Sequence, residues 1–406
     1  MSFEWFVALR YLRDAKGQSA LILAAVSIGV SVVVFLSALI SGLQVSLIDK
    51  TLGSQAHITL RVPREAPRAL VEPTSQLAVA RNIQISAQRL RSIDQWPIAL
   101  AEAERMPGVS AASASVMGPG FAVRGEAKAP IVVLGVDPAR FLSIVDVSKK
   151  TNAGRFDVAG GNVVVGGVLA LDLGVVVGDK LRITTSEGIA DTVAIAGIFR
   201  LGNRALDQTW LIMSLRYAQS LFALPGGVTT IELKVRDVFE AERIGSALQD
   251  RTGLKAESWM AKNAELLAGL SAQNSSKWLI QFFVVLAVAL GIASVLIVSV
   301  VQKSREIGIL RAVGTSPRRV QNVFLIQGGV LGLCGSLLGS LLGALLAKLF
   351  ENLARDPSGA ARFPIELGPW LFLAASALAT GVGLLSAVIP ARRAARLDPA
   401  LAIRNG

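Results

Sequence analysis

The chain has 406 residues, 52% of them hydrophobic and 17% charged, with a formal net charge of +12 and a mean hydropathy of +0.55. That is too apolar for an ordinary water-soluble protein, so the composition points to membrane spans. With one cysteine and one histidine, Cys334 and His57, the chain excludes an intrachain disulfide framework and a Cys/His zinc site.

In chain order, residues 1–17 place Trp5, Phe6, Leu9 and Leu12 on one side of a helix and Arg10, Arg13 and Lys16 elsewhere, as an interfacial helix on the inner leaflet requires. Residues 18–43 form a first apolar run. It is longer than the roughly 7–15 apolar residues of a signal peptide and is followed by no clear A-x-A site, so it reads as an uncleaved anchor. Residues 44–277 read as a large mixed α/β domain. Its predicted strands are the β-branched runs HITLRV, PIVVLGVD, NVVVGG, DKLRITT, DTVAIAGIFR, TWLIMSL and TIELKVRD, punctuated by Gly and Asp. Its predicted helices are ALAEAERMPG, RYAQSLFAL and VFEAERIGSALQDRTG, the last burying Val238, Ala241, Ile244 and Leu248. Residues 63–95, rich in Pro, Gln, Ser and Arg, suggest a mobile loop or lid. Further apolar runs occupy 278–301, 320–350 and 370–390. Each has roughly 20 or more residues, enough to cross about 30 Å of hydrocarbon. The fold class is therefore an α-helical membrane protein with four transmembrane helices and a large α/β extracytoplasmic domain between helices 1 and 2.

Lys and Arg cluster before the first span, in 302–319 and in the tail 391–406, whereas 351–369 has Arg355 and Arg362 against Glu351, Asp356 and Glu366. The positive-inside pattern puts both termini and 302–319 in the cytoplasm, with 44–277 and 351–369 outside. It also accounts for much of the net charge through contact with anionic headgroups, so no nucleic-acid partner is implied.

Chemistry of the usual kinds is missing. His57 stands alone and reads as a surface histidine; no H-E-x-x-H, G-x-S-x-G or Walker A pattern occurs. The central parts of the four spans hold no ionisable residue, which argues against an ion-driven carrier. The third span instead carries Gly328, Gly332, Gly335, Gly339 and Gly343, spaced 4, 3, 4 and 4 apart, as one helical seam. Such a seam serves close packing against a neighbouring helix, with a subunit interface as the alternative. Cys334 beside it reads as a small packing residue.

The segment KSREIGILRAVGTSPRR, 303–319, keeps Ile307, Ile309, Leu310 and Val313 at helical spacing among Lys303, Arg305, Arg311, Arg318 and Arg319. Closed by Gly314 and Pro317, it is shaped to dock on a soluble partner, or else to lie on lipid, with its cations reaching carboxylates or phosphates.

SREIGILRAVGTSPRRVQNVFLIQGGVLGLCGSLLG resembles the corresponding segment of the FtsX-like permeases of ABC transporters, the class of MacB and LolC/LolE. PARRAARLDPALAIR resembles the family's closing pattern, and NVVVGGVLALDLGVVVGDKLRI a strand-helix-strand element of its extracytoplasmic domain. The resemblance implies that Glu306, Ile307, Gly308, Leu310, Arg311, Ala312 and Gly314 form the contact with the ATPase. It implies that Pro390, Arg393, Ala394 and Pro399 form a C-terminal signature, with Leu401 where the family usually has an acid. It further implies a non-catalytic permease subunit of the bacterial inner membrane that binds no cofactor itself. An ABC ATPase dimer binds ATP and Mg²⁺, a second permease copy completes the assembly, and a periplasmic adaptor is a further possible partner. Motion driven by ATP passes to the periplasmic domain to extract or export a lipid-like or lipoprotein cargo. A membrane-anchored sensor, scaffold or regulator of a periplasmic enzyme is the alternative.

Overall fold

A computed structural model describes residues 3–53, 55–63, 90–354, 365 and 367–397. Most of the expected loop at 63–95 therefore lies outside the described residues, as do Pro399 and Leu401. In chain order the helices are α1 (Phe3–Asp14), α2 (Lys16–Leu52), α3 (Trp96–Arg105), α4 (Pro138–Ile144), α5 (Gly167–Leu173), α6 (Arg204–Thr209), α7 (Leu215–Leu221), α8 (Ala241–Thr252), α9 (Trp259–Lys262), α10 (Ala264–Gln302), α11 (Ser304–Ala312), α12 (Pro317–Leu353) and α13 (Pro369–Ala395). The strands are β1 (Ile58–Arg61), β2 (Val109–Arg124), β3 (Ala127–Val136), β4 (Thr151–Gly154), β5 (Asn162–Gly166), β6 (Lys180–Thr185), β7 (Ala190–Phe199), β8 (Trp210–Ser214), β9 (Thr230–Val235) and β10 (Lys255–Ser258). They divide into a helical unit, Met1–Leu47 with Ala268–Gly406, and an α/β unit, Ile48–Leu267.

In the helical unit α2, α10, α12 and α13 are long and apolar enough to cross a membrane. Helices α2 and α10 outrun their apolar stretches, with 37 and 39 residues, because the polar flanks 44–52 and 264–277 contain no proline to stop them. They are tied by amide and hydroxyl groups: Gln18 Nε2 donates to Gln302 Oε1 at 2.8 Å and Gln281 Nε2 to Ser37 Oγ at 2.6 Å. The glycine seam of α12 is shared between two neighbours. A Cβ added at Gly332 would lie 2.7 Å from the Ala379 carbonyl oxygen of α13, and Gly328 abuts Gly383 of the same helix. Gly335, Gly339 and Gly343 face Val26, Ser27 and Val34 of α2, with an added Cβ at Gly339 only 2.5 Å from the Ser27 carbonyl oxygen. Cys334, expected to pack, is instead exposed; one residue from Gly335 is about 100° round the helix, which turns it off the seam.

Gly339→Ala is expected to lower stability by about 1–3 kcal/mol, because backbone rather than a movable side chain stands in the way. Gly381→Ala, where a Cβ meets nothing within 4 Å among the described residues, is expected to stay within about 0.5 kcal/mol of the parent. Thermal unfolding of the two variants in detergent checks the contrast.

The α/β unit is built on a ten-stranded sheet of order β10-β1-β9-β2-β3-β8-β5-β7-β4, with β6 joining β2 to β7. Every strand expected from β-branched runs is present. The sequence reading missed β2, the longest, because Ser and Ala dominate its first half; its neighbours rather than its own propensity make it a strand. Pro119 sits within β2, whose ladder with β3 runs unbroken from Ser115 to Arg124; on the opposite edge the pairing with β9 ends at Ser115 and that with β6 begins at Gly120, which leaves a gap for the missing N–H. Helix α8 buries Ala241, Ile244 and Leu248 as expected, against Ile58, Leu60, Ile231 and Leu233. Val238 lies just outside α8, in a short 3₁₀ turn, and is partly buried against the same core.

His57 is buried rather than on the surface: its backbone N–H donates to Leu233 O, and Nδ1 accepts from the Val235 N–H at 3.2 Å. Burial, followed by the nearby Lys234 charge, holds its pKa below the ordinary value.

Candidate functional site

The expected coupling segment folds as helix α11, set between the ends of α10 and α12. Its end is built by hydrogen bonds that only certain residues permit. The Thr315 N–H reaches back to Leu310 O at 3.0 Å and the Gly314 N–H to Arg311 O at 3.1 Å, a Schellman arrangement. Gly314 sits at φ +100°, a conformation open to glycine and strained for other residues. Ser316 then precedes Pro317, whose missing N–H is harmless in the first turn of α12.

Helix α11 has an anchored side and a free side. Ile307, 1% exposed, packs with Val300, Val320, Phe324, Ala391 and Ala394. Gly308 is also buried, and Leu310 shares a crevice with Phe3, Val7 and Val323. Ala312 is exposed, as are Ile309 (48%) and Val313 (83%). Arg305 joins them and has no ion-pair partner among the described residues. This surface therefore offers two aliphatic side chains and a free cation.

Two of the expected contact residues have other partners. Glu306 forms an exposed ion pair with Lys303 at 2.7 Å, and Lys303 also approaches Asp14 of α1 at 3.8 Å. Arg311, expected to reach outward, is turned inward: Nη1 donates to Ala395 O at 2.8 Å and to Leu397 O at 2.9 Å. Those carbonyls close the C-terminal end of α13, where peptide oxygens lack intrahelical donors and the helix dipole favours a cation. Arg319, also expected to reach a partner or lipid, lies 3.8 Å from Glu4.

Residues far apart in sequence thus meet. Pro390 and Ala394 of the closing pattern are buried, and Ala394 lies in the same cluster as Ile307, while Arg393 is exposed. The sequence reading missed the part played by α1. Ala8 and Tyr11 are buried against Val323 of α12, and Gln327 Nε2 donates to Ala8 O at 3.4 Å. Burial and the nearby Glu306 carboxylate push the Tyr11 phenol up to about 12. Trp5, Phe6 and Leu9 are exposed on the far side of α1, whereas Leu12 packs with the core of the helical unit. Helix α1 combines a lipid-type face with a face that braces α11 and α12. No group of three or more His, Cys, Asp or Glu side chains is placed to hold a metal among the described residues.

Residues 278–399 match the FtsX-like permease C-terminal family, and residues 19–251 match the MacB-like periplasmic core domain. The chain is 26% identical over 432 residues to the lipoprotein-releasing system transmembrane protein LolC of Xylella fastidiosa strain Temecula1, with 98% of each chain covered. It is 25% identical over 435 residues to the corresponding LolE of Haemophilus influenzae, covering 98% of this chain and 99% of that one. To the macrolide export ATP-binding/permease protein MacB of Escherichia coli it is 24% identical over 222 residues, 52% of this chain and 33% of that protein.

Proposed function

We infer the function from the family to which this chain belongs, the FtsX-like permeases with a MacB-like periplasmic core domain: it is a permease of the ABC transporter type. On this reading α11 is the handle on which a separate ATPase chain acts, and that partner binds ATP and Mg²⁺. Two permease copies and two ATPase subunits form the working assembly, in the inner membrane. Helix α11 and both termini face the cytoplasm and the MacB-like domain faces the periplasm, where a soluble adaptor is a further partner. Closure of the ATPase pair displaces α11, and the motion reaches the periplasmic domain through the helices.

The cargo on this reading is a lipoprotein or a similar lipid-anchored molecule. Support comes from the extent of likeness: it runs over 98% of both chains for the lipoprotein-releasing protein, against 52% of this chain for the macrolide exporter. A span interior without ionisable residues suits a cargo taken from the outer leaflet.

The observation that carries the assignment is the two-sided character of α11, anchored through Ile307 and Arg311 and bare at Arg305, Ile309 and Val313. An Ile309→Glu/Val313→Glu double variant, co-expressed with the candidate ATPase, is expected to lose co-purification and to reduce stimulated ATP turnover by about 10-fold or more. Its thermal stability should hold, since both side chains are exposed. An intact complex would count against the coupling role of α11. Failure of any ATPase to associate with the parent chain would favour the sensor or scaffold reading.

A further inference from the structure

We propose that the α/β unit carries an anion-binding cleft, walled by Lys180, Arg216 and Tyr217 and rimmed by the Gly160–Gly161 turn, that takes a phosphate ester bearing a small polar organic group. The cleft is a shallow depression open to solvent, with a volume of about 600 Å³, larger than a bare phosphate needs.

The recess follows from the sheet. In β7, Ala194 lies between Asn162 of β5 and Lys180 of β6, so a small residue occupies the floor while a cation stands at one side. Helix α7 supplies Arg216 and Tyr217 above it. Gly160 and Gly161 turn at φ +59° and +85°, and a Cβ on Gly161 would lie 3.9 Å from the Tyr217 ring, narrowing the mouth. Their backbone N–H groups donate to no acceptor among the described residues.

The charge balance is positive. Neither Lys180 nor Arg216 has an ion-pair partner among the described residues, and both are exposed. The neighbouring carboxylate, Asp191, is already satisfied: the Tyr217 hydroxyl donates to Oδ2 at 2.6 Å and the Thr192 N–H to Oδ1 at 2.7 Å. Those hydrogen bonds keep Asp191 ionised, and burial together with Asp191 raises the Tyr217 phenol to about 12, so it stays a neutral hydroxyl. Two free cations beside a satisfied carboxylate attract an anion. Apart from Val193 and Ala194 the walls are polar or glycine, which suits a polar ester and not an acyl chain. The site depends on the α/β unit alone and stands apart from the coupling role of α11.

The test is calorimetric titration of the full chain in detergent with sn-glycerol 3-phosphate against glycerol, and with dihexanoyl phosphatidylglycerol against dihexanoyl phosphatidylcholine. Lys180→Ala/Arg216→Ala should weaken the phosphate probe by about 10-fold or more, as loss of charge-assisted hydrogen bonds requires, with the thermal midpoint retained. Binding of both anionic probes identifies a free phosphate ester as sufficient; binding of the phosphatidylglycerol alone assigns the ester to a lipid headgroup. Equal affinity in parent and double variant, or no preference of the parent for either anionic probe over its comparator, overturns the proposal.

Discussion

Replacing Arg311 with alanine is expected to release α11 from the end of α13 and to lower the hydrogen-exchange protection of the α11 amides by about 100-fold or more. The guanidinium makes two hydrogen bonds, at 2.8 and 2.9 Å, to Ala395 and Leu397 carbonyls. Hydrogen bonds to charged groups contribute about 1.5–3 kcal/mol each, so the pair contributes about 3–6 kcal/mol locally, and 3 kcal/mol is about two decades of protection. Arg311→Lys keeps the charge near the helix dipole but not the reach and geometry with which Nη1 meets both carbonyls, and should fall between parent and alanine. Substituting Glu306 is the internal contrast. Its pair with Lys303 is half exposed and contributes about 1 kcal/mol or less, so Glu306→Gln should leave α11 protected. Unchanged exchange in Arg311→Ala would mean that the packing of Ile307, Gly308 and Leu310 suffices to hold the helix.

Glu232→Gln is expected to remove a pH dependence of about 3 kcal/mol from the stability of the α/β unit. Glu232 lies in a row of opposed residues across the sheet, Ser113–Glu232–Thr59–Glu257, on the face away from Ile231 and Leu233. It is 6% exposed and its Oε2 has no hydrogen-bond partner among the described residues. Burial raises its pKa from the ordinary 4.5 to about 7, against the opposing pull of the Lys262 ammonium. Lys262 is itself held below its ordinary value by burial and donates to Thr59 Oγ1 at 2.6 Å.

The sign follows from which state holds the proton. Below pH 4.5 Glu232 is neutral both folded and unfolded. Between 4.5 and about 7 the unfolded chain has released the proton and the folded chain retains it, so stability falls as the pH rises, levelling off above 7. That interval corresponds to about 3 kcal/mol. Urea midpoints of the full chain at pH 5 and pH 8, taken as parent minus variant, isolate the effect. The opposite loss from His57, whose lowered pKa weakens the fold as the pH drops below 6.5, cancels in the difference. Parallel curves for parent and Glu232→Gln would contradict the assignment.

What could be read in the sequence follows from which interactions leave a trace in residue type. Apolar runs, β-branched strands and the 3.6-residue spacing of Ala241, Ile244 and Leu248 are patterns of side-chain burial, and burial is what composition encodes. Strand β2 is set by its partners, so Ser113 and Ser115 give no sign of the sheet they complete. The role of Arg311 was illegible for a related reason: its acceptors are main-chain oxygens, present at every residue and marked by none. Likewise the glycine spacing predicted one seam, but the change of partner between Gly332 and Gly335 depends on where α2 and α13 happen to run. His57 was misplaced because a lone polar residue next to a strand looks the same whether or not a backbone N–H waits for it.

The division of the α12 seam restricts how that helix can travel. Its glycines sit against carbonyl oxygens of α2 on one stretch and α13 on another. A shift of register by one residue, about 1.5 Å along the axis with about 100° of rotation, would put Leu331 and Leu338 where Gly332 and Gly339 now meet those oxygens. Helix α12 is in effect keyed into both neighbours, and a change of its register against one of them is opposed at the other as well.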